Sequence, residues 1–245
     1  MKNLKSLLIT SLFFCSSTLM AKTIVSPAHQ VNLVEVYSSQ GCSSCPPAEK
    51  WLEQFKSHQQ LFKKFIPINF HVDYWDHIGW KDPYAQRQFT QRQQRYSHLN
   101  YIHNIATPGF VVNGKGWNGW FRGKSLPIDN QKKVGKLSAN IDDGLIKVQF
   151  APESETAIKM QVHVAILGFD QITQVTRGEN RGRDLSHDFV VLGYKREKLG
   201  REEGQLSTQM LLPTTNGHIS EKQAIVVWVA EQDNPQPIQV VGDWL

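Results

Sequence analysis

Apolar positions in this chain follow two rhythms, one in each half. The first begins with Val31-Asn32-Leu33-Val34-Glu35-Val36-Tyr37, a β-branched run that predicts a buried strand. Ser38-Ser39-Gln40-Gly41 breaks it. Pro46-Pro47-Ala48-Glu49 then opens a segment in which Leu52 and Phe55 share a helical face with Trp51 beside them. Proline suits a first helical turn, where its missing amide hydrogen has no partner to lose, so a helix is predicted with Cys42 at or just before its start. Phe65 to Val72 reads as a second strand, and strand, helix and strand pack most simply with the two strands parallel. The stretch from Trp75 to about His103 is polar, aromatic and predicted helical, with Gln86 to Tyr96 suited to a solvated helix. Thr107-Pro108-Gly109 follows, then Phe110-Val111-Val112 running into Asn113-Gly114, a strong hairpin signal.

From about Ala139 the rhythm changes to short β segments. They are Leu145 to Phe150, Ile158 to Phe169, Ile172 to Thr176, Phe189 to Tyr194, Leu206 to Leu212, Ala224 to Glu231 and Ile238 to Val241, separated by Gly, Asn, Asp and Pro. That spacing predicts a β-sandwich packed beside the first half. A chain of 245 residues can bury two cores, so the expected division is a first domain over 22–137, with a helical insert at about 75–103, and a β-sandwich-like domain over 138–245.

The amino-terminal 21 residues stand apart. Lys2 and Lys5 precede the apolar run Leu7 to Phe14, and small and polar residues lead to Ala21, the pattern of a secretory signal peptide over 1–21. The run is short for a membrane span, and nothing later approaches about 20 consecutive apolar residues, so no membrane span is expected. A periplasmic or secreted location follows once the signal is removed. Loss of Lys2 and Lys5 takes the formal net charge from +5 to +3, too modest a surplus to indicate a nucleic-acid partner.

Removing the leader also removes Cys15 and leaves Cys42 and Cys45, both in Cys42-Ser43-Ser44-Cys45. A disulfide closing so small a loop restricts the unfolded chain little, so stapling explains the pair poorly. Two thiols at a helix start suit thiol–disulfide exchange instead. Backbone amides there favour the thiolate, making Cys42 the attacking sulfur and Cys45 the resolving one. Ser43 and Ser44 are candidate contacts to the thiolate or substrate. Glu35, on the strand before the motif, is a candidate proton relay if burial raises its pKa, or else a surface residue of an edge strand.

The Cys-x-x-Cys motif with Thr107-Pro108 downstream resembles the thioredoxin superfamily, in which such a motif faces a cis-proline loop. The chain is more closely similar to a family of secreted bacterial proteins catalogued as "domain of unknown function twelve-twenty-three". The likeness is carried by Val34 to Ala48, His71-Val72-Asp73-Tyr74-Trp75-Asp76, Gly79-Trp80-Lys81-Asp82-Pro83 and Gly178-Glu179-Asn180-Arg181-Gly182-Arg183. The resemblance implies an α/β thioredoxin-like domain with a helical insertion, followed by an all-β sandwich-like domain. It also implies that Pro108 shapes a substrate-binding edge with Thr107, and it calls for no cofactor. The expected partner is a protein or small thiol or disulfide.

Two other readings use the same residues. Cys42, Cys45 and His71 could bind copper or another soft metal, since thiolates and imidazole suit such ions. The motif could equally be a structural disulfide in a non-catalytic envelope module. His71, Asp73, Asp76 and His77 have the flavour of metal ligands, or serve to bond their own turns, while Trp80 and Lys81-Asp82-Pro83 read as loop packing. The loop from Arg177 to Arg183, with three arginines and His187 following, could dock an anionic ligand or the first domain, or be a solvated hairpin loop.

Overall fold

The computed structural model describes residues 21–202 and 205–245. Of the leader expected over 1–21, all but Ala21 lies outside the described residues. The strands are β1 (Lys22–Val25), β2 (Asn32–Ser38), β3 (Phe65–His71), β4 (Gly109–Val112), β5 (Lys115–Gly116), β6 (Gly135–Asp142), β7 (Leu145–Pro152) and β8 (Met160–Gly168). They continue with β9 (Gln171–Val175), β10 (Arg183–His187), β11 (Val190–Lys198), β12 (Gly200–Glu202), β13 (Gln205–Leu211), β14 (Gln223–Glu231) and β15 (Pro237–Trp244). The two α-helices among the described residues are α1 (Pro46–Glu53) and α2 (Arg87–His98).

Alternation along the central strands builds a core on each face of one large sheet. Val162, Val164 and Ile166 of β8 point into the same cluster as Ile225, Val227 and Val229 of β14, while Ala165, Leu167, Val226 and Trp228 point the other way. The sheet has eight strands in the order β15-β14-β8-β11-β3-β2-β4-β5. On one face it packs against the five-stranded sheet β1-β6-β7-β13-β12, whose Leu137, Ala139, Ile146, Val148 and Phe150 complete that core. On the other face α1 and α2 contribute Ala48, Leu52, Phe89 and Tyr96 to a core with Val36, Tyr37 and Phe70. β9 and β10 form a separate hairpin.

Strands β2 and β3 are parallel and joined through α1, and β4 lies antiparallel to β2. The β4–β5 hairpin turns at Asn113 (φ 47°) and Gly114 (φ 77°), the left-handed pair that an Asn-Gly turn supplies. A Cβ at Gly114 would also collide with the Gln236 side chain, so the turn needs glycine for space as well as for conformation.

This architecture overturns the expected fold class. Strand makes up 44% of the chain and helix 12%, with several sheets and only two α-helices among the described residues, so the fold is mainly β. It is not an α/β thioredoxin-like domain with a helical insertion followed by an all-β sandwich-like domain. The segment expected to be a helical insert at 75–103 contains a short 3₁₀ turn at Asp76–Ile78 and α2, and α2 is no solvated helix: Phe89, Thr90, Arg92, Gln93 and Tyr96 are buried. The expected division at 137/138 falls inside β6, and β11, from the second half, pairs with β3, from the first. Local periodicity identifies a strand but carries no record of its neighbour, and the β11–β3 contact joins segments more than a hundred residues apart.

Candidate functional site: the two cysteines and the buried cluster behind them

The carboxyl end of β2 delivers the chain to the site. After Ser38 the backbone turns, with the Cys42 amide donating to the Ser39 carbonyl (3.1 Å) and the Cys45 amide to the Cys42 carbonyl (3.2 Å). α1 begins at Pro46 and Cys45 is its N-cap residue, so the helix start belongs to Cys45, and Cys42 lies in the turn before it. Both cysteines are free thiols and each residue is only 1% exposed.

The Thr107-Pro108 loop lies against the first sulfur. Cys42 Sγ is 3.5 Å from the Thr107 carbonyl oxygen and 3.3 Å from Ser44 Oγ, and the Thr107–Pro108 bond is cis. Trp75 Nε1 donates to Thr107 Oγ1 (2.7 Å), which fixes the loop from its other side. The two thiols differ sharply in acidity. A hydrogen bond from the Cys45 thiol, followed by the Ser44 and Thr107 side chains, holds Cys42 down to about 6 against the opposing effect of burial. Burial, reinforced by the Cys42 charge, pushes Cys45 well above the ordinary thiol value. The two sulfurs thus differ in acidity, with the Cys45 thiol and the local hydroxyls as the causes that lower Cys42.

A loop from the β-rich half closes over this segment. Asn180, fully buried, donates through Nδ2 to the carbonyls of Gln40 (2.9 Å) and Cys42 (3.0 Å), and Arg183 holds the Asn180 side-chain oxygen at 3.0 Å. Glu179 accepts the Ser43 amide at 3.1 Å. The segment between Arg177 and Arg183 is therefore a clamp on the cysteine turn.

Glu35 is not placed as a proton relay. Both its oxygens are occupied: Arg92 donates to them at 2.7 and 2.9 Å, Tyr37 at 2.8 Å and Tyr96 at 2.6 Å. Glu35 is a buried ion-pair anchor between β2 and α2. Its partner Arg92 was concealed in a glutamine- and arginine-rich helix that reads as solvated.

His71 is likewise not with the sulfurs. Among the described residues, the one group of three or more potential metal donors lying within 4.8 Å of one another is Glu49, His71 and His187, so the set Cys42, Cys45 and His71 is not assembled. Glu49 sits one helical turn after Cys45, at the same wall of a cavity of about 170 Å³ that Cys45 and His187 also line. Ser38 Oγ (2.5 Å) and Asn69 Nδ2 (2.7 Å) donate to its carboxylate. Burial acts to raise Glu49, but His187 and His71 outweigh it and hold the carboxyl well below the usual range. His71 behaves in mirror image: burial opposes its charge, and Asp82 followed by Glu49 raises it to about 10.

Asp82, in the loop expected to be mere packing, accepts His71 Nδ1 at 2.7 Å and the Gln40 and Tyr84 amides at 2.8 and 2.9 Å. Trp80 Nε1 donates to Gln40 Oε1 (2.9 Å), and Gln40 Nε2 meets His187 Nε2 at 2.9 Å. Asp73 instead accepts the Thr90 hydroxyl (2.6 Å), Asp76 accepts the Asp82 amide (3.2 Å), and His77 is exposed against the Tyr74 carbonyl. The sequence held one usable signal for Glu49, its four-residue spacing from Cys45. Asn180 and His187 arrive from the other half of the chain, in and beside the arginine-rich loop for which docking onto the first half was one of the open readings.

Comparison with known proteins follows the same outline. The profile of a family described as "Protein of unknown function (DUF1223)" matches residues 33–230. A crystal structure of a protein from Agrobacterium tumefaciens is 22% identical, with 88% of this chain and 94% of that one covered and a TM-score of 0.56. HBP35 of Porphyromonas gingivalis is 11% identical, with 89% of this chain and 76% of that one covered and a TM-score of 0.58. At these identities both likenesses concern the fold alone. No curated protein matches the sequence.

Proposed function

We propose that this chain, which belongs to the DUF1223 family of proteins of unknown function, carries out thiol–disulfide exchange through Cys42 and Cys45. One observation carries the reading: Cys42 Sγ lies against Ser44 Oγ and the Thr107 loop with its pKa drawn down to about 6, while that of Cys45 beside it is pushed up. A pair built only to cross-link gains nothing from one sulfur poised as a thiolate and the other kept as a thiol.

In the forward step the Cys42 thiolate attacks one sulfur of a substrate disulfide. A Cys42–substrate bond forms and the other substrate sulfur leaves as a thiolate. Part of what raised Cys45 was the Cys42 charge, and that charge is spent in the new bond. Cys45 then gives up its proton and attacks Cys42 Sγ, the intramolecular disulfide forms, and the second substrate sulfur departs. The protein dithiol is oxidised by two electrons and the substrate disulfide reduced; the reverse sequence oxidises a substrate dithiol. The Thr107-Pro108 loop, with Ser43 and Ser44, forms the edge against which a protein or small thiol substrate is placed. This is the part of the thioredoxin-superfamily resemblance on which the reading rests, and the architecture is not. The leader at 1–21 supports export to the periplasm or beyond, where such chemistry has disulfide substrates.

Reactivation of a scrambled disulfide protein by the purified chain tests the reading. Wild type is expected to restore activity and Cys42→Ser to abolish it, whereas equal rates from wild type and Cys42→Ser would overturn it. A second reading, a non-catalytic module with an inert pair, is favoured by the 1% exposure of both cysteines. Alkylation of the folded chain separates the two: Cys42 reacts ahead of Cys45 if the clamp opens, and neither reacts if the pair is sealed.

A further inference from the structure

Three elements far apart in the chain deliver two imidazoles and a carboxylate to one buried point. Glu49 comes from α1, His71 from the last position of β3 and His187 from the last position of β10. Their exposures are 6%, 0% and 1%, and their donor atoms lie within 4.8 Å of one another. His71 Nε2 is 3.2 Å from Glu49 Oε1, and His187 Nδ1 is 3.2 Å from Glu49 Oε2. Those are spacings that two ligands of one small cation can adopt.

The hydrogen bonding at this point is incomplete. His187 Nδ1, despite its distance from Glu49, has no aligned hydrogen-bond partner, and neither does Oδ1 of Asn69, whose Nδ2 donates to Glu49; both atoms are buried. Buried polar atoms are normally paired, so an imidazole nitrogen 3.2 Å from a carboxylate oxygen with no hydrogen bond of its own is free to take a ligand.

The outer layer is organised in the same sense. Asp82 accepts His71 Nδ1 at 2.7 Å and is itself fixed by two backbone amides, which turns Nε2 of His71 toward Glu49. Carboxylate–imidazole pairs of this kind orient metal-binding histidines. Ser38 and Asn69 hold the Glu49 carboxylate. The cavity of about 170 Å³ lined by Cys45, Glu49 and His187 supplies an entry path and room for water.

We propose that Glu49, His71 and His187 bind one zinc ion, with a fourth position open to water in that cavity. Two histidines and one glutamate with an open position is a ligand set that zinc takes readily, and zinc imposes no geometry of its own through its d electrons. Coordination through His187 Nδ1 places a proton on Nε2. Gln40 then presents its side-chain oxygen to that proton and releases the half-buried Trp80 indole, which now donates to it at 2.9 Å. Neither sulfur belongs to the ligand set, although Cys45 lines the cavity that the open position faces.

Calorimetric titration of zinc chloride into the chelator-stripped full chain, with both cysteines changed to serine, tests the proposal. The expected result is one zinc per chain, a rise in melting temperature on loading, and a change in tryptophan fluorescence that Trp80→Phe removes. His187→Ala is expected to abolish binding. Should His187→Ala fail to fold, Asp82→Asn keeps all three donors and is expected to weaken binding by about 10- to 100-fold. Absence of binding in the double-serine chain overturns the proposal, as does binding that neither His187→Ala nor Asp82→Asn alters.

Discussion

The carboxylates and thiols of this site are defined by what they touch, and residue type alone would misassign two of them. Glu35 and Glu49 both lie near the cysteine motif in sequence, and only Glu35 sits on the preceding strand where a relay was expected. Arg92 and two tyrosines absorb Glu35 completely, whereas Glu49 shares a cavity wall with Cys45. Glu35→Gln is therefore expected to leave the pH profile of Cys42 alkylation unchanged. Arg92→Met should destabilise the fold by about 3–5 kcal/mol in urea titration, because it strands a buried charge. A shifted Cys42 profile in Glu35→Gln would restore the relay reading. For Cys42 the sign is set by a lowered pKa. The thiolate is present above about pH 6, so the alkylation rate should climb through that value and level off beyond it. Cys45→Ala removes the largest cause of the lowering and should move the midpoint toward about 8.5, the ordinary cysteine value. The cysteine pair and the Thr107-Pro108 loop were legible because their motif is local. Glu49, Asp82 and His187 were not, because their meaning lies in mutual proximity across the fold.

At the scale of elements, the apolar rhythm located β2, β3, β4, β7, β8, β9, β11, β13, β14 and β15 to within a few residues. It named no segment for β1, β5, β6, β10 or β12. Arg183-Asp184-Leu185-Ser186-His187 shows why: the strand has one apolar residue and pairs only with β9, so no buried stripe marks it. Its preceding loop is nevertheless what covers the cysteine turn. Asn180 donates to both the Gln40 and Cys42 carbonyls, and Asn180→Ala removes that donor from Gln40 and leaves the Cys42 carbonyl with the Cys45 amide alone. The expected outcome is a loss of about 1–3 kcal/mol in stability together with faster alkylation of Cys42, read by mass spectrometry against time. An unchanged alkylation rate would mean that the loop does not control access.

Across the whole molecule, the continuous eight-stranded sheet makes the two halves one mechanical unit. β11 sits on the open side of β3, and β8 and β14 continue the same sheet, so the two cores share the strands between them. Thermal unfolding is expected as a single cooperative transition, and a fragment ending at residue 137 is expected not to fold, since the cut divides β6 and uncovers the β3 edge. Phe150→Ala, emptying a fully buried position between the sheets, should lower the stability of the entire chain by about 3–5 kcal/mol without splitting the transition. Two separate transitions would instead indicate independent halves. None of this was legible from local patterning, which sees strands and turns but not which strand completes a sheet. The shared frame brings Asn180 from the second half onto the Cys42 turn and His187 to Glu49 in the first, while the proposed exchange chemistry itself rests on Cys42 and Cys45. Trapping tests it most directly: the folded Cys45→Ser chain is incubated with glutathione disulfide and its mass is measured intact. A glutathione adduct on Cys42 that persists in Cys45→Ser and is resolved in wild type is the predicted result. A folded chain that stays unmodified, under conditions where the same chain in denaturant reacts fully, would contradict the account.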